Sequence, residues 1–367
     1  MLNDYNYKRL KDDFRGGKQI VLFVGAGINF CKKNPILWSD VMGYLFEQAL
    51  VSIACDKEIK DEDLARLRKL FNIKDGSCKE NLSIDLHKFV QDEYPSVLQA
   101  YIVKKILGYR YISIIQDYLY NRCNTELIKK AFEANHTVGN ESTSPMSDYP
   151  CLFEIARLIL LSTNIRSVVT YNYDNFLTQA VNILQNDPER YFTKDEREIL
   201  RIRQSDGILD VVDIYGDRYD QFLNKSSLPV YHVHGYIPPP NESQSLDDTS
   251  IILSLDEFYD NVRNVYSWQT DTQIHLLSHY TCVFVGTSIS DITIQRMIYY
   301  AQHYGNNENI YYFRAYQIPQ GMNETEIRLH ELLTGLKNDF YNDYGLSVIY
   351  AGAYKEMYKL MKDLVSL

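Results

Sequence analysis

The chain has 367 residues, 45% of them hydrophobic, enough to bury one large α/β domain or a core domain carrying an insertion. A formal net charge of -10 argues against a nucleic-acid groove of the chain's own. The six cysteines, at 31, 55, 78, 123, 151 and 282, include no pair three apart, which excludes a local Cys-x-x-Cys zinc or redox motif and fits a reducing cytosol. Met1-Leu2-Asn3-Asp4-Tyr5 has no basic-then-apolar signal pattern, and no uncharged apolar run approaches membrane-spanning length. A soluble cytoplasmic protein without membrane contact is the expectation. The 31 tyrosines, some in pairs such as Tyr299–Tyr300, read as residues that line strand and helix faces with one polar end.

Gln19 to Val24 is a continuous apolar run of the kind a parallel sheet buries on both faces, and it ends in Gly25-Ala26-Gly27. Trp38, Val41, Met42, Leu45, Phe46, Ala49 and Ile53 then recur at three and four, the spacing of an amphipathic helix. From 56 to 149 the pattern is helical with no convincing strand, closed by a polar loop from Thr137 to Pro150. This segment is expected as a helical insertion in a core made of 1–55 and 150–367. A second strand, Ser167 to Thr170, precedes a helix through Phe176, Leu177, Ala180, Val181 and Leu184. Residues 185–227 are expected to hold a short helix and an extra strand around Leu209 to Ile214. Strands at Val230–Val233, Thr281–Val285, Ile310–Ala315 and Leu346–Tyr350 complete the set. Pro238-Pro239-Pro240 opens a surface loop, and Asp291–Tyr304 and Tyr354–Leu367 read as helices. Strand, polar turn and helix in alternation predict an α/β fold, a Rossmann-like doubly wound parallel sheet with an inserted helical subdomain.

Ligands of such sheets bind beyond the carboxyl ends of the strands, where the strand order switches. Four strand ends are polar or glycine-rich immediately after an apolar run: Gly25-Ala26-Gly27-Ile28-Asn29, Thr170-Tyr171-Asn172-Tyr173-Asp174, His234-Gly235, and Gly286-Thr287-Ser288-Ile289-Ser290-Asp291. The first can bring backbone N–H groups against phosphates, although Phe30 stands where the third glycine of a dinucleotide fingerprint would fall. Glu47 lies on the amphipathic helix and not on a second strand, which disfavours a hydride-transfer enzyme.

In this order, Gly25-Ala26-Gly27, Pro35…Trp38-Ser39-Asp40-Val41, Thr170-x-Asn172-Tyr173-Asp174, His234-Gly235 and Gly286-x-Ser288-x-x-Asp291 resemble the sirtuin superfamily. The closer likeness is to its zinc-less branch, the sirtuin-like NADases of bacterial anti-phage defence. The likeness covers roughly 19–42 and 166–305. Asn29 replaces the frequent Ser of the family, and both the Asp-Phe-Arg and the four zinc cysteines of the deacetylases are missing. The resemblance therefore implies NAD+ as a consumed substrate, no metal, and release of nicotinamide and ADP-ribose in place of peptide deacylation.

It further implies Asn172, His234 and Asp174 as the catalytic group. Gly25, Ala26, Gly27, Asn29, Thr170, Gly286, Ser288 and Asp291 are implied as the nucleotide-binding set. An amide at Asn172 can donate and accept, which suits holding a ribose hydroxyl and a water together. His234 can activate either near neutral pH. Asp174 can orient Asn172 or stabilise positive charge, and Asp291 reads equally as ligand or helix cap.

His232 reads as a structural histidine, and His275 and His279 lack a third metal ligand. Since a constitutive NADase would exhaust its host, a homo-oligomer or a partner is expected to regulate it. The resemblance implies a HerA-type ATPase, with a short Argonaute as alternative. Competing readings are a non-catalytic NAD- or ADP-ribose-binding sensor that gates a partner, and, third, a protein deacylase.

Overall fold

The computed structural model describes residues 4–31, 36–57, 62, 96–135, 148–205, 210–216, 227–242, 246, 249–254, 256–257, 259, 267–289, 291–305, 309–316, 318, 321–352 and 356–365. In chain order these form α1 (Asp4–Arg15), β1 (Ile20–Val24), a 3-10 turn (Ala26–Asn29), α2 (Trp38–Lys57), α3 (Ser96–Leu107), α4 (Arg110–Arg122), α5 (Thr125–Asn135) and α6 (Pro150–Leu161). Next come β2 (Ile165–Thr170), α7 (Phe176–Asn186), α8 (Pro188–Tyr191), α9 (Lys194–Ser205), β3 (Asp210–Ile214) and β4 (Ser227–His232). The chain continues through α10 (Trp268–His279), β5 (Thr281–Val285), α11 (Ile292–Tyr304), β6 (Ile310–Ala315), α12 (Glu324–Asp343), β7 (Leu346–Ala351) and α13 (Met357–Val365).

The strands make one seven-stranded sheet in the order β3-β4-β2-β1-β5-β6-β7, and every pairing is parallel. The central strands β1 and β5 are buried at every position, as their unbroken apolar runs require. At the sheet edge β3 is buried only at Ile214, so its sequence signal is weaker. Alternate side chains of β1 enter two separate cores. Ile20, Leu22 and Val24 join α1, α2, α6 and α7, whereas Val21 and Phe23 join α10 and α11. Helices on both faces make the sheet doubly wound, as expected. The segment 185–227 contains two helices before β3, one more than the periodicity suggested.

Ala100, Val103, Ile115, Ile128 and Phe132 belong to the same core as β1 and α6. The described part of the 56–149 segment is thus helical and packed on one sheet face; residues 58–61, 63–95 and 136–147 lie outside the described residues, as do parts of the loops expected at 137–150 and 238–249.

The switch in strand order falls between β1 and β5. There the loop after β1 meets the loop after β5 backbone to backbone: Gly25 N donates to Val285 O (3.2 Å) and Gly27 N to Gly286 O (3.0 Å). Gly286 has φ +69°, and a Cβ there would lie 2.6 Å from Ile28 N; one on Gly25 would lie 2.7 Å from Gly286 O. Both positions therefore demand glycine. Gly286→Ala is expected to cost at least about 1–2 kcal/mol from the left-handed backbone alone. A lowered urea midpoint in equilibrium unfolding, against an unchanged or raised one for Gly43→Ala on α2, where an added Cβ meets open space, checks this.

Candidate functional site

Register places the four strand ends in one row. Val24 pairs with Thr170 and with Val285, and Thr170 pairs with His232. Beyond these pairs, Tyr171 N donates to Val24 O (3.0 Å) and Val233 N to Thr170 O (3.2 Å), which extends the alignment past the strands. Asn172 and His234 each stand two residues beyond a paired position, on neighbouring strands. The sheet thus brings together the segments Gly25–Asn29, Thr170–Asp174, His234–Gly235 and Gly286–Asp291.

The main chain of Asn172 is fixed from both sides. Its N–H donates to Thr170 Oγ1 (3.1 Å), and its carbonyl faces His232 Nδ1 (3.2 Å). The other nitrogen of His232, Nε2, faces Asp213 Oδ1 (2.9 Å), which also accepts from Thr178 Oγ1 (2.7 Å). His232 is 1% exposed and fully partnered, the structural histidine expected for that position. The side chain of Asn172 is nearly buried, at 7% exposure, and makes no hydrogen bond to a described residue.

Asp174 holds Asn29 and not Asn172. Its Oδ2 accepts from Asn29 Nδ2 (3.1 Å), and its Oδ1 accepts from Phe176 N (3.1 Å) at the start of α7. Burial pushes its carboxyl up to about 6, while the Phe176 N–H, the charge of His232 and the Asn29 amide pull the other way. Asp291 caps α11, with Oδ1 accepting from Thr293 N (2.8 Å). It also acts electrostatically on His234, so cap and site residue are compatible roles.

His234 packs edge-on against the Tyr171 ring, centroids 5.0 Å apart, and Tyr171 Oη donates to Gln273 Oε1 (3.0 Å). Burial pushes the His234 imidazole below its ordinary value and so favours the neutral ring, while the Asp291 carboxylate opposes this. The His234 carbonyl accepts from Ile252 N (2.9 Å), and the next position must be glycine, since Gly235 has φ +96° and a Cβ there would lie 2.2 Å from Ser250 O. The helical segment braces this loop: Gln116 Nε2 donates to Pro238 O (2.7 Å) and Tyr120 Oη to Ile237 O (2.8 Å).

Three buried polar atoms along the row have no hydrogen-bond partner: Asn29 Oδ1, His234 Nε2 and Thr287 Oγ1. Unpaired buried polar atoms occur elsewhere too, such as Ser167 Oγ and Tyr191 Oη, so it is the clustering of three at one strand-end row that sets these apart. Thr287 is the residue that sequence reading passed over between Gly286 and Ser288; no local pattern distinguishes it, and only its contact with Gly25 shows its place. Gly27 has its N–H engaged by Gly286 O, so the glycine turn is shaped first by the neighbouring loop. Ser288 is exposed, its carbonyl accepting from Asp291 N (3.2 Å), and Pro35 and Ser290 lie outside the described residues. A cavity of about 880 Å³ opens between the start of α4 and residues 246–257, lined by Lys104, Arg110, Thr249 and Glu257 among others. It lies beside the row and not on it, so the convergence of polar groups and not the cavity locates the site.

His275 and His279 are one helical turn apart with rings 4.7 Å apart, and among the described residues no group of three or more His, Cys, Asp and Glu is placed to hold a metal. No helix among the described residues is long and apolar enough to cross a membrane.

The chain is an α/β protein with a doubly wound parallel sheet, an architecture that places its ligand sites at the switch point where these polar groups gather. A family model for the SIR2-like domain matches residues 166–349, half of the chain, and the chain belongs to that family. The match runs from β2 into β7 and ties the protein to NAD-related chemistry. Comparison with curated proteins gave no match.

The raised carboxyl of Asp174 has a consequence for stability. An acid whose folded pKa exceeds its unfolded value binds its proton more tightly when folded, so its contribution is favourable at low pH and is lost as pH rises from about 4 to about 6. Asp174→Asn, which keeps an acceptor for Asn29, is expected to flatten that decline in urea-unfolding free energies measured from pH 4 to 7. An unchanged slope would refute the assignment.

Proposed function

We propose that the chain is an NAD+ hydrolase that cleaves the bond between nicotinamide and ribose and releases ADP-ribose. The observation that carries this reading is the gathering of Asn29, Asn172 and His234 in the loops that follow β1, β2 and β4, with Asn29 Oδ1 and His234 Nε2 unpaired and the Asn172 amide uncommitted. Membership of the SIR2-like family supplies the nucleotide.

Nicotinamide in NAD+ is a cationic leaving group, so departure needs no strong general acid. It needs a held ribose, a placed water and tolerance of an oxocarbenium-like transition state. Asn172, with its backbone locked by Thr170 and His232, holds the ribose hydroxyl and water. His234, kept neutral by burial, takes a proton as water adds to the anomeric carbon and nicotinamide leaves with the bonding electrons. Asp174 acts through Asn29, which it orients by hydrogen bond. Gly25, Ala26, Gly27, Gly286, Thr287 and Asp291 border the nucleotide. The same resemblance motivates the role of NAD-depleting effector in anti-phage defence, with a HerA-type ATPase as the partner to co-express.

Purified protein, alone and with that partner, should release nicotinamide from NAD+. Asn172→Ala and His234→Ala should each lower turnover by about 10²–10⁴-fold. Full turnover in both variants, or intact NAD+ beside tight ADP-ribose binding, would overturn the hydrolase reading, and the second result would favour the sensor.

A lowered imidazole pKa keeps the base form of His234 present below pH 6.5, so the acid limb of kcat/KM should fall below that value. Asp291→Asn retains a capping side chain and removes the charge that raises His234. Its acid limb should therefore move to still lower pH; a shift upward would contradict this electrostatic arrangement.

A further inference from the structure

The second face of α12 is apolar and faces outward. Toward the sheet the helix presents Thr334, which is buried, Asn338, which partners Tyr350 on β7, and Tyr341, whose ring meets Tyr312 on β6. On the opposite side Leu329, Leu332, Leu333, Leu336 and Phe340 are 55%, 61%, 52%, 57% and 41% exposed. Isolated exposed leucines are ordinary, but five large apolar side chains in one stripe over three turns mark a contact surface. The steps from Leu329 to Leu333, Leu336 and Phe340 are four, three and four residues, the spacing of a helix–helix seam.

We propose that this stripe joins two copies of the chain through antiparallel, twofold pairing of α12 with its counterpart. The charge pattern selects that occupant. Arg328 and Asp339 are eleven residues apart, which is three turns, so they flank the stripe on the same side near its two ends. A twofold axis through the helix middle brings each flank against its own copy running backward. Arg328 then faces the partner's Asp339, and Asp339 the partner's Arg328. With Leu329 level with the partner's Phe340 and Leu333 with the partner's Leu336, Arg328 and the partner's Asp339 are offset by two residues, about 3 Å along the axis, within reach of an arginine side chain. An isologous patch of this kind is self-complementary by construction. It lies on α12, away from the strand-end row, and does not depend on the hydrolase reading.

Sedimentation equilibrium of the full chain over a wide concentration range tests this, with thermal melting by circular dichroism as the control for folding. The wild type should self-associate reversibly. Leu332→Glu with Leu336→Glu should halve the limiting mass and, at concentrations low enough for the wild type to be monomeric, melt at the wild-type temperature, since both side chains are exposed in the single chain. Arg328→Asp and Asp339→Arg should each raise the dissociation constant at least about tenfold, and combining them should restore it. A wild type that stays monomeric throughout, an oligomer indifferent to the leucine substitutions, or charge reversals whose combination does not restore association would each overturn the proposal.

Discussion

The close approach of two backbone loops at the centre of the sheet governs everything around it. Gly27 N–H reaches Gly286 O, and neither Gly25 nor Gly286 can carry a Cβ without collision. Because β1 and β5 are hydrogen-bonded neighbours whose following helices leave on opposite faces, their loops diverge around this point and leave the crest open. The contact also sets Asn29 at the end of the short turn, within reach of Asp174 from β2, and brings Thr287 over Gly25.

Burial does the electrostatic work. It raises Asp174 and lowers His234, and in both cases disfavours the charged form. A neutral imidazole can accept a proton without first losing one, the property that the proposed hydrolase reading asks of His234. The neighbouring histidine, His232, two residues away on the same strand, is held by Asp213 and the Asn172 carbonyl and contributes position in place of chemistry. One histidine builds the site and the other is left with an unpartnered nitrogen within it.

The central strands were legible because parallel strands covered on both faces leave unbroken apolar runs, as in Ile20–Val24 and Thr281–Val285. The four polar strand ends followed directly, since chemistry in this architecture collects there. Other elements carried less signal. Helix Pro150–Leu161 is buried at every residue, and only Glu154 and Arg157 break its apolar run, so little of a polar face reveals its period. α12 has its apolar stripe turned away from the sheet, so its pattern points to a surface and not to the core. Within the site, no local spacing announces that Asp174 holds Asn29 rather than Asn172, that Gly27 N–H is taken by Gly286, or that Thr287 matters. These are long-range contacts, and they appear only when the sheet assembles.

The most direct test of the central claim, that the strand-end row is the nucleotide site, is hydrogen exchange followed by mass spectrometry with and without ADP-ribose. Slowed exchange should concentrate in 24–31, 170–176, 232–237 and 285–291, with Asn29→Ala weakening the protection. Protection confined to the cavity between α4 and residues 246–257, or no protection at saturating ligand, would contradict the account.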